Sequence, residues 1–292
     1  MHKSDIATLL ALGAALFSAV GDVIQQRSAH DVTDEQVGHV ALFLRLLRDK
    51  QWWLGSLVAA GGFGLQAAAL GFGSVLLVQA LLVTSLLFAL PLSARFAGRR
   101  ITRSQWMWAV LLAAAVAVIV TVGDPSHGQS RAGLQMWIWV LATLGPLLVL
   151  CLVGARVFAG KPVAAVLLGL VAGSLWGLFA VLTKGVVDQL DRGIPAVLRL
   201  PELYPWAVVA VAATAVQQSA FRAGSMAASL PAVTISEPLV GSVLGVAILG
   251  EMLRPGRNGW VGLGIAVAVM VVATVELARG EAIPAEPAPV PD

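Results

Sequence analysis

Gln66-Ala67-Ala68-Ala69-Leu70-Gly71-Phe72-Gly73-Ser74 returns later in the chain as Gln217-Gln218-Ser219-Ala220-Phe221-Arg222-Ala223-Gly224-Ser225, at a constant offset of 151 (Gln66 to Gln217). Gln, Ala, Gly and Ser recur at the same steps, and each copy closes one apolar run and opens the next. Further on, Gly98 and Trp106 parallel Gly250 and Trp260; earlier, Ile24-Gln25-Gln26-Arg27-Ser28 parallels Leu182-Thr183-Lys184-Gly185. The chain reads as two copies of one unit.

The runs around these copies are long enough to cross a bilayer, which takes about 20 apolar residues. Nine qualify: 6–25, 52–72, 74–95, 105–122, 134–153, 163–183, 204–221, 226–249 and 260–277. Composition agrees. Of 292 residues 58% are hydrophobic and 12% charged, with a mean hydropathy of +0.86. A soluble domain carries about 25% charged residues, so half that density cannot cover a globule in water. The expected fold is an all-α polytopic membrane protein. Nine spans parse as two inverted four-helix repeats (1–122 and 163–278) joined by a linking helix within 123–162, with a Pro-rich acidic tail at 279–292. A single linking span turns the second copy upside down, the architecture of alternating-access transporters. Residues 37–47 (VGHVALFLRLL) read as an amphipathic interfacial helix, or as a short tenth span.

Lys and Arg are counted in alternate loops because they are retained on the cytoplasmic side. Twelve of the 19 fall on one side, Arg27, Arg99, Arg156, Arg222 and Arg279 among them, against seven on the other. That places the C-terminus in the cytoplasm and the N-terminus outside, in the plasma membrane. No basic run suits nucleic acid. The single Cys151 can form no intrachain disulfide, and the four His residues lie in termini or loops.

Polar groups inside spans are costly and mark function by default. Glu237 is the twelfth of 24 residues in 226–249, hence at mid-depth. Pro238 follows it and Pro231 lies two turns earlier on the same face, so the backbone beside the carboxylate is freed and bent. That combination suits a cation, or a proton exchanged during transport; the alternative is a structural carboxyl bonded to Ser236, Thr234 or Gln217. Gln66, Gln217 and Gln218 are expected to point inward, as ligand contacts or interhelix hydrogen bonds. Asp22 near Arg27 reads as an interfacial pair first and a site residue second. Lys184 is expected to snorkel to the interface, and Glu251 and Glu276, at span ends, to be solvated. Gly169, Gly173 and Gly177 form one small-residue ridge, Gly241 and Gly245 a second, suited to close packing within the chain. No P-loop, dinucleotide fingerprint, nucleophile elbow or zinc-protease motif occurs, so neither an enzyme nor a cofactor is expected.

Ile235-Ser236-Glu237-Pro238-Leu239-Val240-Gly241, running on to Leu249-Gly250-Glu251, resembles the EamA-type signature of the drug/metabolite transporter superfamily. The nine-span layout, the basic segment before Trp52-Trp53-Leu54-Gly55, and Leu182-Thr183-Lys184-Gly185 resemble its NIPA-like branch, whose members are linked to magnesium transport. The resemblance implies a secondary carrier with inverted repeats and a central cavity, with Glu237, Pro238 and Glu251 matching the signature and Gly241 beside the prolines as a hinge. The first copy has Leu86 where the second has Glu237, so the acid is not duplicated. Magnesium, with Glu237 as its ligand, and a small organic metabolite are therefore both open as cargo. The resemblance also admits a lipid-linked sugar flippase, and an accessory membrane subunit is the reading from another class. Small members of the superfamily pair as dimers; a chain carrying both repeats has no need to, and a homodimer is left open.

Overall fold

The computed structural model describes residues 3–32, 50–96, 100–126, 128–223, 226–255 and 259–281. Residues 37–47 and the tail beyond 281 lie outside them. Within these bounds the chain is helical, with one isolated bridge pairing Ser126 and Met252.

Apolar runs in a bilayer must satisfy their own backbone, and helices do so within one segment. The helices are α1 (Lys3–Val32), α2 (Lys50–Phe72), α3 (Val75–Leu82), α4 (Ser85–Phe96), α5 (Arg103–Gly123), α6 (Leu134–Val157), α7 (Pro162–Val187), α8 (Ile194–Leu198), α9 (Leu203–Ala223), α10 (Met226–Leu249) and α11 (Gly259–Glu281). Among the described residues, eight stretches are long and apolar enough to cross a membrane by length and composition. The remaining expected span, 204–221, is a helix of the right length, α9, made more polar by Gln217, Gln218 and Arg222. Leu141, Leu150, Val208 and Val261 stand about 70% exposed around the outside. In water such a surface would aggregate; against lipid it is the ordinary solution.

Helix boundaries follow local chemistry. Ser74 caps α3, accepting from the Leu77 N–H, and Thr102 with Gln105 forms a reciprocal capping box on α5. Gly250, at φ +66, lets the chain turn back after α10. The third expected span is the surprise, because it is two helices. At Val83-Thr84 the chain tightens to three-residue hydrogen bonds: the Thr84 N–H and hydroxyl both donate to the Leu81 carbonyl, at 3.0 and 2.5 Å. Pro91, inside α4, removes another N–H.

α1 packs along α2, α7 along both α9 and α10, and α5 along α11, with α3 against α10. α6 rests mainly on α7 and is the least buried of the eight stretches. The glycine ridge on α7 lies on α10. A Cβ at Gly169 would meet the Ser229 carbonyl at 2.8 Å, one at Gly173 the Ser236 Oγ at 2.1 Å, and one at Gly177 the Glu237 carbonyl at 2.6 Å. The ridge is therefore an intrachain packing surface, as its spacing suggests.

Gly173→Val should destabilise the protein by about 3 kcal/mol or more, since backbone on both sides prevents relaxation. Gly262→Val, where an added Cβ meets nothing, should leave stability unchanged. Thermal melting of both variants in detergent, followed by size-exclusion chromatography, checks this contrast.

Candidate functional site

Among the described residues two polar constellations stand out inside the bundle, and the first is not the one the sequence singles out. Glu251, expected to be solvated, is fully buried. Its carboxylate accepts the Val75 N–H at 2.7 Å through Oε1 and the Leu76 N–H at 2.9 Å through Oε2. Those are orphan donors of the first turn of α3, where a negative charge also meets the positive end of the helix dipole. Lys184 completes the group. It does not snorkel outward; its Nζ lies 3.3 Å from Glu251 Oε1 and donates to the Gly73 carbonyl at 2.6 Å.

Local structure delivers these atoms. The left-handed Gly250 reverses the chain so that Glu251 turns back under α10, its own N–H donating to the Gly245 carbonyl at 3.1 Å. Gly245 leaves room for the acid: a Cβ there would stand 2.9 Å from Glu251 Oε2. The same end of the bundle is tied further. Ser126 N–H donates to the Met252 carbonyl, Gln129 N–H to Leu249, and Arg254 N–H to Gly123. Arg131 bonds Glu202 through its Nε at 3.0 Å, and the Trp206 indole N–H donates to Thr183 Oγ1 at 2.9 Å. Lys184 and Glu251 thus sit at the centre of a laced cap over four helix ends.

The second constellation lies about a turn further into the bundle. Gln79, on α3 one turn before the break, is completely buried, and neither its amide oxygen nor its amide nitrogen has a hydrogen-bond partner. Leaving such groups unmade costs about 1–3 kcal/mol each. It lies against Gly241 of α10, where a Cβ would come within 2.6 Å of its Nε2. On the other side of Gly241, Gly177 of α7 approaches just as closely. Three helices therefore cross at one point with almost no side chain between them. Glu237 is one turn below Gly241 on α10, partly buried and engaged with a partner. Ser236 is buried, its hydroxyl turned back onto the Ala232 carbonyl at 2.6 Å.

The other expected site residues divide. Gln66 is buried on α2 as expected. Gln217 is half-buried and accepts from the Trp176 indole N–H at 2.7 Å, an interhelix bond. It closes an aromatic row in which Phe63 stacks on Trp176 at 5.2 Å, Trp176 meets Phe179 edge-on, and Phe179 stacks on Trp206. Gln218 is exposed, not inward. Neighbours on a helix point about 100° apart, so when Gln217 faces α7 its successor turns away. Glu276, expected to be solvated, is half-buried and lies 3.5 Å from Arg279. Asp22 lies on α1, with its side chain outside the described residues. Among the described residues no three His, Cys, Asp or Glu side chains come together to hold a metal. Pro231 and Pro238 are both accommodated within the continuous α10.

Fold and site together define a multi-pass helical membrane protein with charged and unpaired polar groups buried between its helices. The chain is 39% identical over 295 residues to a Corynebacterium glutamicum protein named as uncharacterised, an alignment covering 98% of this chain and 99% of that one, and it belongs to the same family. No family model matches the chain, and no solved structure does.

Breaking the buried pair from one side strands a charge, which costs about 3–5 kcal/mol. Lys184→Met and Glu251→Gln should each lower the melting temperature sharply. The double variant should lose clearly less than the two single losses added together. Melting curves of all four proteins in one detergent test that coupling.

Proposed function

We propose that this protein is a secondary transporter of the drug/metabolite type, moving a small solute or cation across the plasma membrane by alternating access between repeats 1–122 and 163–278. The observation that carries the reading is that α3, which ends at the break in its span, lies against α10. Transporter sites are typically built from discontinuous helices at the interface between repeats. Here the break at Val83-Thr84, the unpaired Gln79 and the acid Glu237 lie within about a turn or two of one crossing.

Packing supports the repeat. α1 runs along α2 as α7 runs along α9, and α1 meets the broken span as α7 meets α10. The third and eighth expected spans contact each other across the middle, as do the fourth and ninth. Such pairings are what an inverted duplication produces. With the C-terminus in the cytoplasm, the laced end around Lys184 and Glu251 faces outside, and the pair works as an outer latch that opens when the repeats rock. Glu237 binds the cation or carries the coupling proton. With no cluster of acids beside Glu237 among the described residues, a partly hydrated ion suits the site better than a stripped one, because magnesium keeps several of its waters.

Wild-type protein and Glu237→Gln, each shown to be folded and inserted, are compared in proteoliposomes containing a magnesium-sensitive dye. Uptake that disappears with Glu237→Gln supports cation transport through the mid-span acid. Absence of uptake in both removes magnesium as cargo, and the same vesicles then test organic solutes under a pH gradient.

A further inference from the structure

We propose that the cavity between α3, α5, α10 and α11, open on its outer side, is a binding site for an uncharged, predominantly apolar solute about the size of a substituted benzene ring. Its volume is about 150 Å³. The walls include Leu76 and Ala80 of α3, Ile119 of α5, Pro238 of α10, and Met270 and Val271 of α11. No charged side chain lines it; its polar side chains are the hydroxyls of Thr234, Ser242 and Thr274. An apolar cavity of this order of size stays dry and accepts benzene or xenon. A few hydroxyls in an otherwise apolar lining add orientation without demanding charge.

The site is separate from the mid-span acid. Pro238 lines it, whereas the preceding Glu237 does not, so a cation held by that carboxylate would lie outside this cavity. Access is lateral. Leu239 and Val267 belong to the lining and are 55% and 40% exposed on the outer surface of the bundle. In a bilayer that surface meets lipid, so a membrane-soluble ring reaches the cavity without crossing a polar layer. The volume matches a single substituted ring and is smaller than a whole acyl chain. The inference concerns binding and stands whether or not the protein transports.

Phosphatidylcholine nanodiscs carrying the full-length protein are exposed to 3-trifluoromethyl-3-phenyldiazirine. Under light the probe loses N₂ to give a carbene that inserts into neighbouring bonds, and mass spectrometry locates the adducts. Labelling at Met270, Val271 and Leu76 should saturate with probe concentration and be suppressed by excess toluene. Labelling at Leu141 and Leu150, on the lipid-facing surface of α6, should rise linearly. Ala80→Phe, which fills the cavity from α3, should cut the saturable labelling at least several-fold, and Ser242→Leu provides the same test from α10. Linear, uncompeted labelling of the cavity residues would overturn the proposal, as would saturable labelling that persists in a folded cavity-filling variant.

Discussion

The carboxylate of Glu251 holds together parts of the chain that are far apart in sequence. One oxygen accepts the Val75 N–H and faces the Lys184 ammonium; the other accepts the Leu76 N–H. Taking both charges out of water costs several kcal/mol per ion, so the arrangement persists only where every donor and lone pair finds a partner. Here they do. Backbone N–H groups at the start of α3 receive the acid, and the Gly73 carbonyl receives the amine. The position of α3 within the bundle, and hence of the break that follows it, is set by a residue beyond the end of α10.

A second constraint is the lack of side-chain bulk where α3, α7 and α10 cross. Gly173 and Gly177 bring α7 onto the backbone of α10, and Gly241 brings α10 onto the Gln79 amide. Close backbone approach makes a strong contact in lipid, where no hydrophobic force drives helices together. It also leaves few interdigitated side chains to unlock when helices slide. An amide buried with neither atom paired is a stability penalty at that same crossing. In the transport cycle we propose, the second state is one in which that amide is met.

Much of the fold was legible because hydropathy reports spans directly. The run 226–249 coincides with α10, and 134–153 lies within the long, lipid-exposed α6. The glycine ridge was legible from spacing alone. The break in the third span was not. Gln79, Thr84, Ser85 and Pro91 are too few to end the apolar run VLLVQALLVTSLLFALPL, and a Thr hydroxyl bonding back to Leu81 is a matter of geometry. Glu251 and Lys184 were misjudged for a related reason. Each sits where a span ends, which usually means solvent, but Lys184 is buried against Gly73, 111 residues away, and Glu251 against Val75, 176 residues away. Gln218 was misplaced because composition counts polar residues while helical phase decides where they point. Gln79 carried a signal, a lone amide in an apolar run, but not the information that it would find no partner.

The outer latch we propose for the Lys184–Glu251 pair is tested most directly at Gln79, which lies one turn along α3 from the Leu76 N–H that Glu251 accepts. The direct test is the reactivity of Gln79→Cys, in a Cys151→Ser background, toward a membrane-impermeant maleimide applied from the side on which Lys184 lies. The account predicts that the thiol is inert while the pair is intact and becomes reactive from that side when Glu251→Gln is added to a protein that still folds. A thiol equally inert with and without Glu251, or equally reactive in both, would contradict it.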